Sequence, residues 1–180
     1  AEVRETLSQF SGVALLVSHD RGEVYRMSAR ACVLNAGVNE PLMATTALFE
    51  RPRTLQSALI TGCKNCVAAE RQADGTVFVP GWNAHLQLDS AGTGTITHVG
   101  IRAHYVAPCE ANAENALLCR VADVADDVFS RVLTLLPVGG TQTIRAELSK
   151  AAAQGILIGS EAWFCLPKNA VMPLSETHQI

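Results

Sequence analysis

At 180 residues and 48% hydrophobic content, the chain has enough apolar material for one medium domain or two small ones. Its 14 Lys plus Arg stand against 17 Asp plus Glu, and a net charge of -3 offers no general attraction for nucleic acid or anionic lipid, so any anion site must be local. The longest apolar stretch, Val13 to Val17, is too short to span a bilayer, and the amino terminus lacks the basic-then-apolar order of a signal peptide. The expectation is a soluble, non-exported chain whose six cysteines are reduced thiols.

In chain order, Glu2, Arg4 and Glu5 around Val3 and Leu7 predict a surface helix over residues 1 to about 10, ending at Ser11-Gly12. Val13-Ala-Leu-Leu-Val17 shows no alternation, the pattern of a parallel strand covered on both faces. It ends at Ser18-His19-Asp20, where loops at the carboxyl ends of such strands carry function. Ser18 and Asp20 also suit the amino-terminal cap of a helix that Val24, Met27 and Ala31 predict from Arg21 to Arg30. Cys32-Val-Leu34 then makes a short strand stopped by Asn35-Ala-Gly37. Two short strands with two helices cannot close a doubly wound sheet, so further strands are expected upstream.

A polar, proline-containing junction, Phe49-Glu-Arg-Pro-Arg-Thr54, separates a first domain, 1–53, from a second, 54–180, which begins with a helix-like Leu55-Gln-Ser-Ala-Leu-Ile60. Beyond it, β-like runs are punctuated by Gly, Pro, Asn and Asp. They fall at 77–79, 86–88, 99–101, 117–121, 132–136, 143–148 and 162–166, as in a small barrel or sandwich.

Two residue sets could carry chemistry by themselves. Cys63-Lys-Asn-Cys66 has the spacing of half a zinc site or of a redox pair. Cys109, Cys119, His85, His98 and His104 supply no matching second pair, so no metal is expected and the histidines read as strand or turn residues. Ser18, His19 and Asp20 are hydrolase-triad residue types, but adjacent residues point apart and no Gly-x-Ser-x-Gly elbow is present.

Leu16-Val-Ser-His-Asp-Arg-Gly-Glu-Val-Tyr-Arg26, Ala31-Cys-Val-Leu-Asn-Ala-Gly37 and Ala47-Leu-Phe-Glu-Arg-Pro52 together resemble the end of an ABC-importer ATPase. That resemblance places His19 on the switch histidine, a catalytic residue that contacts the γ-phosphate of ATP. The family's Walker A, signature and Walker B motifs precede this point, and no Gly-x-x-x-x-Gly-Lys-Ser/Thr occurs in these residues. ATP and Mg would thus belong to the parent subunit, and this chain alone is expected to be inactive.

Most of residues 62 to 174 resembles the transport-associated OB (TOBE) domain in its molybdate-binding, mop-type version. The matching segments are Gly62-Cys-Lys-Asn65, Gly100-Ile-Arg-Ala-His-Tyr105, Cys119 to Val124, Phe129 to Leu135, Ile144 to Lys150 and Gly159 to Val171. The resemblance implies an α/β fragment ending a P-loop ATPase domain, followed by an all-β OB-like barrel domain of two lobes. Its oxyanion site, for molybdate or tungstate, would draw on Lys64, Asn65, Ser130, Ser149 and Lys150, because a doubly charged oxyanion needs several convergent donors. The function implied is the C-terminal regulatory portion of the ATP-binding subunit of a molybdate or related oxyanion importer. The subunit would be cytoplasmic and peripheral at the inner face of the membrane, with a membrane permease as partner, a homodimeric state, a small oxyanion ligand and no nucleic acid. The alternative is a free-standing oxyanion storage or sensor protein.

Overall fold

Asp20, whose carboxylate accepts the Glu23 N–H at 2.8 Å, caps α1 (Arg21–Met27). That capping bond, made to the charged form, holds the Asp20 carboxyl below its ordinary value. The computed structural model describes residues 9–89 and 94–176, which divide into two compact units, residues 1–52 and 53–180.

In the first unit, β1 (Arg30–Ala31) pairs antiparallel with β4 (Met43–Ala44), and β2 (Leu34–Asn35) with β3 (Val38–Asn39). The turn between β2 and β3 uses positive φ at Ala36 and Gly37. α2 (Thr45–Glu50) follows at once. Its buried Thr45 donates to the Ser28 carbonyl at 2.6 Å, and Phe49 meets Tyr25 edge-on with ring centroids 5.2 Å apart, which ties α2 to α1.

Here the α/β expectation meets its main correction. Val13–Val17 forms no strand: Val13 is 97% exposed, Leu15 90% and Val17 85%. A covered parallel strand exists only if neighbours on both sides complete its hydrogen bonds, and among the described residues none lies alongside. The helix expected over 1 to about 10 falls almost wholly outside the described residues. The strand expected at Cys32–Leu34 is replaced by the two-residue strands β1 and β2.

The second unit opens with α3 (Leu55–Ile60), capped by Thr54, whose hydroxyl accepts the Ser57 N–H at 3.1 Å. Three antiparallel sheets follow. β5 (Asn65–Ala68) pairs with β9 (His98–Ile101), which pairs with β15 (Met172–Leu174). β6 (Glu70–Arg71), β7 (Val77–Val79) and β8 (Ala84–Leu86) form a meander. The largest sheet runs β10 (Ala107–Pro108), β14 (Glu161–Cys165), β11 (Ala116–Asp126), β12 (Ser130–Pro137), β13 (Ile144–Ser149). β11 pairs with β14 over Ala116–Arg120 and with β12 over Cys119–Asp126, the latter pairing interrupted by a bulge between Val121 and Asp123.

Alternation builds the interior. Along β13 the odd positions Arg145, Glu147 and Ser149 face solvent while Ile144, Ala146 and Leu148 are buried. One core draws on all three sheets, with Val67 and Val99 from the first, Val77 and Leu86 from the second, and Leu133, Leu135 and Phe164 from the third. The residues expected to form two lobes therefore share one interior within a mostly β, barrel-like arrangement. The β12–β13 turn is clamped onto the 3₁₀ turn Pro80–Trp82: Thr141 and Gln142 both donate to the Gly81 carbonyl, at 2.9 and 2.8 Å. A side chain on Gly139, at φ +78°, would meet the Asn83 amide at 2.6 Å, so only glycine closes this turn. No described helix is long and apolar enough to cross a membrane.

Candidate functional site

β12 begins at Ser130 and β13 ends at Ser149, and the register sets these two directly opposite each other. In an antiparallel pair, opposite residues project to the same face, here the solvent face. Lys150 follows at once, exposed and without an ion pair among the described residues. Ser130 and Ser149 thus share a face at one end of the large sheet, with Lys150 the next residue in the chain. The Ser149 hydroxyl oxygen accepts the Ala152 N–H at 3.2 Å, which leaves its own O–H to donate elsewhere. The Ser130 hydroxyl donates to Glu147 Oε1 at 3.2 Å. An incoming oxyanion would have to take that bond from the carboxylate.

Lys64 and Asn65 lie elsewhere. Asn65 is buried, and its carboxamide pairs with one residue on the edge strand β13: Nδ2 donates to the Arg145 carbonyl at 2.8 Å, and Oδ1 accepts the Arg145 N–H at 2.7 Å. One side chain thereby mimics a neighbouring strand and fastens the β5 sheet to the large one. Arg145 is four residues from Ser149, roughly 13 Å at strand spacing, so the five residues do not form one pocket within a single chain. Lys64 is exposed. Because Arg145 turns its N–H and carbonyl away from β12, the same alternation turns the Ser149 N–H outward.

His19 is exposed at the bend before α1. Ser18 donates to Glu23 and accepts the Asp20 N–H at 3.1 Å, and Asp20 caps α1, so both neighbours of His19 act in capping.

All six cysteines are free thiols. Burial beneath the large sheet pushes Cys119 up to about 12. Cys109 is pushed up to about 11, mainly by burial and then by the neighbouring Cys165. Among the described residues no group of three or more His, Cys, Asp or Glu could hold a metal ion. His85 lies on β8 and stacks on Phe78 with ring centroids 4.8 Å apart, His98 opens β9, and His104 sits in the 3₁₀ turn Ala103–Tyr105.

Sequence reasoning missed Glu147 and Arg145. Their importance follows from strand register, and nothing local in their segment announces it.

No protein-family model matches the chain. It is similar to curated ATP-binding subunits of import systems. It is 29% identical over 128 residues to the sn-glycerol-3-phosphate import ATP-binding protein UgpC of Paraburkholderia xenovorans, covering 65% of this chain and 35% of that protein. It is 28% identical over 159 residues to the putrescine transport ATP-binding protein PotG of Escherichia coli, covering 83% and 42%. It is 31% identical over 137 residues to the sulfate/thiosulfate import ATP-binding protein CysA 2 of Chromobacterium violaceum, covering 74% and 37%. The chain thus spans well under half the length of these relatives. In fold it is similar to a molybdate-bound crystal structure of the cytoplasmic molybdate-binding protein ModG, with TM-score 0.52 and 16% identity, covering 63% of this chain and 98% of that one.

Proposed function

Since the chain is a homologue of the ATP-binding subunits of ABC transporters, we propose that it is the C-terminal regulatory portion of such a subunit in an oxyanion importer, with molybdate or tungstate as the oxyanion. The observation that carries the reading is the coincidence of two independent likenesses, importer ATP-binding subunits in sequence and a molybdate-bound protein in fold. Residues 1–53 would be the end of the ATPase domain, with His19 the switch histidine facing ATP and Mg bound by the parent subunit. Residues 54–180 would be the oxyanion-sensing domain. The partners proposed are a membrane permease subunit and a second copy of the chain, at the cytoplasmic face of the membrane.

Ser130 and Ser149 supply two hydroxyls on one open sheet face, and the exposed Lys150 that follows would add an ammonium group. Three donors are few for a doubly charged tetrahedral anion, which supports a site completed by a second copy. Asn65, engaged with Arg145, would serve by holding the Lys64 segment in place. Molybdate and tungstate are larger than sulfate, so fixed donors discriminate by leaving some unpaired on the smaller anion.

Calorimetric titration of the chain with molybdate, tungstate and sulfate tests this. The expected result is molybdate binding weakened about tenfold by Lys150→Ala and by Ser130→Ala, the loss of roughly one charge-assisted hydrogen bond each. No heat with any of the three would overturn it.

A further inference from the structure

Gly100 of β9 stands directly opposite Cys66 of β5, so the Cys66 side chain projects over the place where Gly100 has none. A Cβ on Gly100 would lie 3.4 Å from Cys63 Sγ and 3.3 Å from Met172 Cε. The missing side chain thus leaves room for both thiols of the Cys63-Lys-Asn-Cys66 segment on one face of this small sheet. The Cys63 thiol donates towards the carbonyls of Asn65 and Ile101, each at 3.4 Å, and each thiol shifts the ionisation of the other. Two residues beyond Gly100, Arg102 is anchored on Thr61, donating to its carbonyl at 3.1 Å and to its hydroxyl at 3.3 Å. Cys63 is held below its ordinary value by Cys66 first and then by the Arg102 charge, whereas Cys66 is pushed up by Cys63 and by burial, which outweigh that charge. Cys63 is buried and Cys66 half-buried, so only Cys66 is open to an incoming reagent.

We propose that Cys63 and Cys66 are a reversible thiol–disulfide pair, oxidised by exchange with a low-molecular-weight disulfide of the glutathione class. This does not depend on the transport reading. The Arg102 charge bears on both thiols, and a fixed guanidinium disfavours capture of a metal cation by a CxxC segment and favours thiolate attack on a neutral disulfide. The dithiol first loses one proton to solvent, from Cys63, and the remaining proton is held on Cys66. Cys66 Sγ attacks one sulfur of the external disulfide, passing its proton to Cys63. The S–S bond breaks, a mixed disulfide forms on Cys66, and one thiolate leaves. Cys63, deprotonated again, attacks Cys66 Sγ, closes the Cys63–Cys66 bond and expels the second thiolate. The protein dithiol is oxidised and the external disulfide is reduced to two thiols, which carry off the two protons. The closed ring spans Lys64 and Asn65, so oxidation acts on the segment whose Asn65 joins two sheets.

The test uses the full chain, reduced and then incubated with oxidised glutathione, quenched with iodoacetamide and digested with trypsin. Cleavage after Lys64 separates the two cysteines onto peptides 54–64 and 65–71. The expected result is joint loss of alkylation at both thiols, with these peptides recovered disulfide-linked, while the exposed Cys32 carries a glutathione adduct. In Cys63→Ser, which lacks the resolving thiol, a stable glutathione adduct should accumulate on Cys66. Full alkylation of Cys63 and Cys66 after Cys32 has reacted, or linkage of either to Cys109 or Cys165 instead, would overturn the proposal. The wild-type peptide map decides the matter even if the variant fails to fold.

Discussion

Both units carry runs of Val and Leu, yet they use them differently. In the first, Val13, Leu15, Val17, Leu34 and Val38 are exposed, and the strands are two residues long. In the second, Val77, Val79, Leu133, Leu135 and Phe164 are fully buried. Apolar content does not by itself make a core. A run is buried when another element completes its backbone hydrogen bonds and covers its face; β12 has β11 and β13 to do so, and Val13–Val17 has no neighbouring strand among the described residues.

Truncation in the core should cost the most. Phe164→Ala, at a side chain fully enclosed by the large sheet, should cost roughly 3–5 kcal/mol, read as a shift of the urea midpoint. A cost under about 1 kcal/mol would mean that the three sheets do not share an interior.

Next in size is the clamp between sheets. Asn65→Ala leaves the N–H and carbonyl of Arg145 without partners at a half-buried junction, at a cost of about 1–3 kcal/mol. Asn65→Asp should recover only part of this, because a carboxylate can accept from the Arg145 N–H but cannot donate to the carbonyl. Equal stability of both variants to wild type would remove the clamp from the account.

A smaller effect appears at alkaline pH. Cys119, pushed up from an ordinary 9.0 to about 12 by burial, holds its proton in the folded chain after an unfolded thiol has lost it. Its stabilising contribution is complete below pH 9 and is lost as pH rises towards 12. By about pH 10 the loss from this group is roughly 1.4 kcal/mol, and Cys119→Ala should flatten that part of the alkaline decline in urea titrations.

The smallest effect belongs to the first unit. Val13→Ser, at a nearly fully exposed side chain, should change stability by no more than about 0.5 kcal/mol in this chain. A larger loss would mean that the segment is buried in solution, for instance in a second copy, which light scattering would detect.

Much of the second unit was legible in the residues. β7, β9, β11, β12, β13 and β14 fall on the runs at 77–79, 99–101, 117–121, 132–136, 143–148 and 162–166, because alternating side chains and Gly or Pro punctuation are local properties. The helix at Leu55–Ile60 was equally plain from its composition, and Ser18 and Asp20 were recognisable as capping residue types. β5 and β15 escaped notice: Asn65–Ala68 reads first as a CxxC segment, and Met172–Leu174 contains a proline that only an edge strand admits. In the candidate site, Ser130, Ser149 and Lys150 were named from sequence, but the meeting of the two serines at one sheet end is a matter of register. The separation of Lys64 and Asn65 from them and the Glu147 carboxylate beside Ser130 were likewise decided in three dimensions. Composition and periodicity act over a few neighbouring residues and so determine elements. Strand register and the pairing of a side chain with a backbone 80 positions away depend on the closure of the whole sheet, which no local segment encodes.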